Sequence, residues 1–322
     1  MIRSCDLNNQ QWDSYAKSFN EVFNKNFPQT YFTNKYLNTI DGFSSHVLLI
    51  ENNEIYGGCT AIPYNYLVGN ERLKIGLVVD VFILSSSNSD PFTLLKMYTL
   101  IKARLQEVGI SMIIAVPNDL IYSYWKNIVK WKDIGLISYY AYPVRLANVI
   151  KTASKILNII CLCVEKINWG LNKLISVFLN PTQMGLPISI DRSSPVIEEQ
   201  RYNSDHYQIT NDLHSFAYRI MQENQVQTAY LIDFYNNKKG EKDLRTLLAA
   251  FKYILKNHRI DILIFVGKLN FFQTLLLRIP KKYEPKKLRL MCDFIKPIEK
   301  SRAQFILDHK NWDFGLFNFD VR

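Results

Sequence analysis

Cysteine is scarce and scattered. Five thiols (Cys5, Cys59, Cys161, Cys163 and Cys292) occur in 322 residues, with no CxxC pair and no histidine at zinc-binding spacing. This excludes a disulfide framework, gives no metal site, and points to reduced thiols in a cytoplasmic compartment. Histidine is nearly missing from the first half, where His46 stands alone. Glycine is absent between Leu77 and Gly109, so no glycine-rich phosphate loop falls there. The longest apolar run in the middle of the chain, Ile156 to Val164, has nine residues and includes Asn158; crossing a bilayer takes about 20. The opening MIRSCDLNNQQWDSY lacks the apolar core of a secretion signal. No Walker loop, GxGxxG, HExxH, ordered Ser-His-Asp set or paired-carboxylate motif occurs.

What is present is a globular composition rich in rings: 48% hydrophobic, 21% charged and 13% aromatic. The length suits two domains of about 150 residues each. Charge is unevenly placed. Residues 1–150 carry 13 Lys and Arg against 12 Asp and Glu, a net of +1, and the remaining 26 against 17 leave +9 in residues 151–322. The basic half is read as either a solvated surface or a face for an anionic partner, and the lysine-dense 281–289 segment (KKYEPKKLR) has the same two readings.

Trp12, Tyr15, Phe19 and Phe23 recur at helical spacing and predict a helix over 5–27, with a second over 33–40. Three strands joined by hairpins are expected from Ser45 to Leu84, with turns at Asn52-Asn53 and Gly69-Asn70. The polar stretch SSSNSDP then leads into a helix over 92–108, an apolar strand over 110–116, a helix over 120–129 and a β-rich segment over 137–146. A polar turn at a helix start offers free N–H groups and the positive end of a dipole to a phosphate.

Residues 151–180 read as a helix with spaced lysines, either a linker packed between domains or a basic helix on an anionic membrane surface. Pro, Ser and charge then mark a boundary over 180–205. The strand–turn–helix–strand unit recurs: a helix over 213–224, a strand over 229–234, a polar turn, a helix over 243–257 and a strand over 261–266. Asp80 stands thirteen residues before Thr93-Leu94-Leu95, and Asp233 thirteen before Thr246-Leu247-Leu248. The run from Trp312 to Val321 reads as a closing strand. The expected division is 1–150, a helical linker over 151–205, and 206–322.

The order of elements in 5–146, together with Trp12, Phe32, Tyr36, Gly57-Gly58, Val79-Asp80 and Val116-Pro117-Asn118, resembles the GCN5-related N-acetyltransferase (GNAT) family. The WDFGLFNFDVR run looks like the close of the family's tandem members. The resemblance implies an α/β (α+β) fold of two tandem GNAT-like domains, each a mixed, mostly antiparallel sheet flanked by helices, the second degenerate. It implies an acyl-CoA co-substrate, acetyl-CoA in the first instance, lying between two strands that part like a V. Its binding residues would be Phe82, Ile83, Leu84, Ser85, Ser86, Ser87, Asn88, Ser89 and Asp90, with Asn118 orienting the coenzyme or capping its own helix. The acceptor would be an amine, such as an amino sugar of a surface polysaccharide. An aminoacyl-tRNA-dependent transferase of the peptidoglycan-bridge type and a non-catalytic interaction module are the alternatives.

Acyl transfer to an amine requires a base for the ammonium proton and an acid for the departing thiolate. Asp80 is the candidate base, with an ion pair as its other reading; Tyr122 and Tyr124 are the candidate acids. The family's usual tyrosine position falls on Trp125. His46 is read as a structural histidine. In the second turn, Asn236 to Gly240 holds two lysines and a glycine, suited to phosphate or to a solvated surface.

Overall fold

The computed structural model describes residues 2–84, 90, 92–149, 155–179, 182–183, 187–202, 205–269 and 277–319. The chain divides into two compact units, each discontinuous in sequence. Unit 1 comprises Met1–Leu136, Pro187–Arg201 and Leu288–Trp312; unit 2 comprises Ile137–Leu186, Tyr202–Lys287 and Asp313–Arg322.

In unit 1, helix α1 (Asn9–Phe23) starts on a capping box in which Asn8 accepts from the Gln11 N–H. Helix α2 (Gln29–Leu37) follows. Strands β1 (Ser45–Glu51), β2 (Glu54–Val68) and β3 (Glu71–Ile83) form the expected antiparallel meander. Helix α3 (Thr93–Glu107), strand β4 (Met112–Ala115), helix α4 (Asp119–Asn127) and strand β5 (Lys132–Leu136) come next. The sheet is closed by a distant piece of chain: the strand Arg289–Phe294 lies antiparallel between β4 and β5.

Alternation along the strands divides this sheet's contacts. Val47, Cys59, Ala61, Val78 and Ile113 pack under Leu94, Met97, Ile101 and Leu105 of α3, with Trp125 and Trp131. The opposite face carries α1 and α2 through rings: Tyr15 meets Phe32 at 5.4 Å and Phe82 at 5.3 Å between centroids, and Trp12 stacks on Tyr36 at 6.0 Å.

Unit 2 repeats the plan with strands β6 (Ser138–Pro143), β7 (His214–Glu223), β8 (Val226–Asn236) and β9 (Ile262–Gly267) and with helices α5 (Lys155–Phe178) and α6 (Leu244–Asn257). Its strand order is Tyr207–Thr210, β7, β8, β9, β6, Leu277–Arg278. Leu244, Leu247, Phe251 and Ile254 of α6 fill the core against Leu231, Phe234, Leu263 and Phe265.

Three expectations are corrected. The helix expected over 213–224 is strand β7, paired along its length with β8 through a hairpin whose Asn224 and Gln225 both have positive φ; the pairing overrides a weak helical pattern. The closing strand expected from Trp312 to Val321 is not a strand in its described part: after one bridge from Trp312 to Ile188 the chain turns, and Phe314, Leu316, Phe317 and Phe319 are buried. The β-rich 137–146 segment does form a strand, but β6 pairs with β9 inside unit 2 rather than closing unit 1. The boundaries drawn from sequence at 150 and 205 therefore differ from the two units, and α5 is part of unit 2.

Candidate functional site

Strands β3 and β4 run parallel and pair at only three positions: Ile75 with Met112, Gly76 with Ile113 and Leu77 with Ile114. Beyond Leu77, β3 keeps its bonds to β2 alone, and among the described residues no backbone group bonds across the opening toward Val116. Val79, Asp80, Val81, Ile83 and Val116 are half-exposed along it. Buried backbone N–H and C=O groups are almost always paired, so an open wedge of this kind offers a strand-like edge to a ligand.

The wedge begins at a β-bulge. Gly58 pairs with Phe82 and Thr60 with Val79, so two residues of β3, Asp80 and Val81, face one of β2. The extra residue inverts the alternation: Val78 packs toward α3 while Phe82, four residues on, packs toward α1. Asp80 absorbs the distortion with φ of 51°, a left-handed conformation that non-glycine residues seldom adopt. Its carboxylate receives Lys35 Nζ at 2.8 Å and the Tyr36 hydroxyl.

Behind Asp80 runs a buried polar chain. The Tyr36 hydroxyl meets the Tyr15 hydroxyl at 3.0 Å, Tyr15 meets Thr60 Oγ1 at 3.3 Å, and Thr60 meets His46 Nδ1 at 2.8 Å. Burial, followed by the nearby Asp80 charge, holds the Tyr36 and Tyr15 hydroxyls above the usual phenol range. Burial pushes the His46 imidazole down to about 3, so it is neutral, and its Nε2 has no partner among the described residues.

At the other edge of the wedge, α3 begins without a side-chain cap: Phe92 occupies the N-cap position. Asp90 accepts from the Phe92 N–H at 2.6 Å and pairs with Lys96 at 2.9 Å; Lys96 and then the Phe92 N–H hold its carboxyl below the usual range. Ser85, Ser86, Ser87, Asn88 and Ser89 lie outside the described residues. Tyr124 of α4 reaches this point. Burial holds its phenol above the ordinary value, opposed in part by a hydrogen bond to the Leu95 backbone in the first turn of α3.

The other sequence-predicted residues are placed as follows. Tyr122, about 200° around α4 from Tyr124, lies in a surface cluster: its hydroxyl donates to Asp133 at 3.1 Å and accepts from Lys126 at 3.0 Å, and Arg289 stacks on its ring at 4.2 Å. Trp125 is core, 5.0 Å from Trp131 and 5.6 Å from Tyr98. Asn118 caps α4 by accepting from the Ile121 N–H at 3.0 Å. The Phe82 ring is buried, and the Leu84 N–H is used by the Tyr56 carbonyl at 2.8 Å. Sequence reading missed Lys35, Tyr15 and Thr60 as partners of the Asp80 chain. Their separations along the chain follow no motif; the only signal was the ring spacing on α1, which reads as core.

Unit 2 has the same wedge, and it is filled. Strands β8 and β9 pair in parallel from Thr228 with Ile262 to Leu231 with Phe265, and past a bulge β8 keeps its bonds to β7 alone. There the Leu316 N–H donates to the Val266 carbonyl at 3.3 Å. Gly315 lies so close that an added Cβ would sit 2.5 Å from that carbonyl oxygen. Ile232, Asp233 and Phe234 are buried where their unit 1 counterparts are half-exposed. Lys242 closes the mouth, 2.6 Å from Asp313 and 3.7 Å from Asp233. The start of α6 is occupied by the Asp243 carboxylate, 2.7 Å from the Thr246 N–H. The amides of Lys238, Lys239 and Gly240 are spent on Asn236.

No protein-family model and no curated protein matches the sequence. Solved structures do. A GCN5-related N-acetyltransferase from Anabaena variabilis aligns over 92% of this chain and 73% of its own, with a TM-score of 0.57 at 10% identity. A probable N-acyltransferase from Enterococcus faecalis aligns over 90% and 71%, with 0.58 at 7%. The N-myristoyltransferase of Saccharomyces cerevisiae, solved with myristoyl-CoA, aligns over 91% and 81%, with 0.53 at 12%. With its two mixed sheets, each opened by a bulged strand ahead of a helix, the chain has the fold of the GCN5-related N-acetyltransferases, twice over.

Proposed function

We propose that unit 1 is an acyl-CoA-dependent N-acyltransferase and that unit 2 is its non-catalytic scaffold. The observation that carries this reading is the contrast between two like wedges, one open with a carboxylate on its bulge and one filled by the chain's own residues 313–319. In this reading the pantetheine arm lies along the free edge of β3 and brings the thioester carbonyl to the bulge. The amine nitrogen attacks that carbon, the C–N bond forms and the C–S bond breaks. Asp80 takes the proton from the attacking amine. Tyr124, a phenol that carries its proton at neutral pH, protonates the departing thiolate. The acceptor class carried with this reading is an amine such as an amino sugar, and the donor tried first is acetyl-CoA.

A second reading, a GNAT-fold interaction module without turnover, is favoured by the Asp90 carboxylate at the start of α3 and by Trp125 sealed in the core. Thermal shift against a panel of acyl-CoA chain lengths separates the two. A donor that binds stabilises the fold by about 2.7 kcal/mol at a hundredfold excess over Kd; the absence of a shift with every donor leaves the module. With a binding donor, Asp80→Asn is expected to keep the shift and lower kcat by roughly 10²–10⁴-fold. Unchanged turnover would remove Asp80 from the mechanism.

A further inference from the structure

From Lys166 onward, the outward side of α5 is apolar where a water-facing helix is normally charged. Ile167, Leu171, Leu174, Val177 and Phe178 are all more than half exposed, Phe178 at 80%. At 3.6 residues per turn they fall within about 120° of arc. The opposite side of the helix is spoken for: Trp169 and Ile175 pack on the unit 2 core, and Asn172 and Ser176 are buried. A monomer that leaves so continuous an apolar ridge in water is uncommon unless the ridge has a partner.

Charge identifies that partner. Lys166 and Lys173, seven residues apart, run along one edge of the ridge. Between that edge and α6 lies a cleft of about 570 Å³ lined by Lys166, Trp169, Lys173, Arg245 and Lys252, with no acidic residue among the described residues of its walls. Arg245 is anchored there by its bond to the Ser176 carbonyl at 2.9 Å. Among the described residues, Lys166, Lys173 and Lys252 have no carboxylate partner. No helix among the described residues is long and apolar enough to cross a membrane, so the ridge is suited to lying in an interface and not to spanning one.

We propose that α5 docks unit 2 on an anionic bilayer surface, its apolar ridge sunk to the acyl boundary and the basic cleft beside it holding lipid phosphates. A ridge of this width edged by lysines is what an interfacial helix requires. A second copy of the chain fits less well. A two-fold pairing would gather both copies' Lys166, Lys173 and Lys252 around one patch with no carboxylate among its described walls. The inference does not depend on the acyl-transfer reading.

Sedimentation with vesicles of phosphatidylglycerol mixed into phosphatidylcholine tests it on the full chain. Binding is expected to the mixed vesicles and not to phosphatidylcholine alone, and to be lost near 1 M salt, where the Debye length is about 3 Å. Lys173→Glu and Lys252→Glu should each weaken partitioning at least fivefold, the factor expected for one basic residue at such a surface. Leu171→Glu with Phe178→Glu should abolish it; both positions are exposed, so the melting temperature should not fall. Equal binding to neutral vesicles, indifference to these four substitutions, or a stable dimer in sedimentation equilibrium that Leu171→Glu dissolves would each overturn the proposal.

Discussion

Asp80 is held in a conformation that costs of order 1 kcal/mol for a residue with a Cβ, and it is held there by Lys35, Tyr36 and the bulge around it. Strain kept in place by surrounding bonds is a common mark of a working position. The polar chain behind it ends at His46, whose neutral, buried ring gives a pH signature. The folded imidazole takes a proton only near 3, whereas the unfolded one takes it near 6.5. The folded-state value is depressed, so His46 favours folding fully above about pH 6.5 and progressively less as the pH falls toward about 3. Urea unfolding at about pH 7 and about pH 5 is expected to show a total loss of about 2 kcal/mol from this group, the slope nearing about 1.4 kcal/mol per pH unit only below about pH 6. His46→Phe should flatten that slope. An unchanged slope would place the acid sensitivity in other groups.

The bulge depends on small residues opposite it. An added Cβ on Gly58 would come within 2.8 Å of the Phe82 ring and 3.2 Å of Tyr15, and one on Gly57 within 2.8 Å of Leu49. Gly58→Ala is therefore expected to destabilise unit 1 by about 1–3 kcal/mol, the usual cost of overpacking, because both rings are wedged among α1 and α2 and have nowhere to turn. Chemical denaturation measures it, and a neutral result would mean that Phe82 can leave the cluster. The helix starts show the same economy. Asp243 supplies the anion at the start of α6 as its own N-cap, while at α3 the N-cap residue Phe92 supplies none and the Asp90 carboxylate takes the Phe92 N–H from outside the helix. A helix whose first N–H groups are already satisfied does not need an outside phosphate.

For the whole molecule, the decisive feature is the exchange of strands along the chain. Unit 1 takes Arg289–Phe294 between β4 and β5, and unit 2 takes β6 onto β9. Unit 1 thus contains a central strand encoded after the main segment of unit 2, and unit 2 contains a strand encoded before the unit 1 segment Pro187–Arg201. A fragment comprising residues 1–150 lacks the strand that pairs β4 to β5 and is expected to show neither the near-UV dichroism nor the cooperative melt of the full chain. A well-folded fragment would mean that β6 replaces Arg289–Phe294 in its absence.

Local information determined much of this protein. The Trp12–Phe23 ring spacing gave α1, the Asn52-Asn53 and Gly69-Asn70 turns gave the meander, and the strand–turn–helix–strand repeat was visible as matched spacing in both halves. These features are written within one or two turns of chain, where period and turn chemistry act. Long-range packing decided the rest. Helical pattern lost to ladder pairing at His214–Glu223, the strand RLMCDF went unread because its neighbours lie more than a hundred residues away, and Lys35 and Asp80 meet only because a bulge turns one strand through half a pleat. Which of the two wedges is open was likewise not written in either half. It follows from residues 313–319 folding back onto Val266, a contact between segments that no local pattern links.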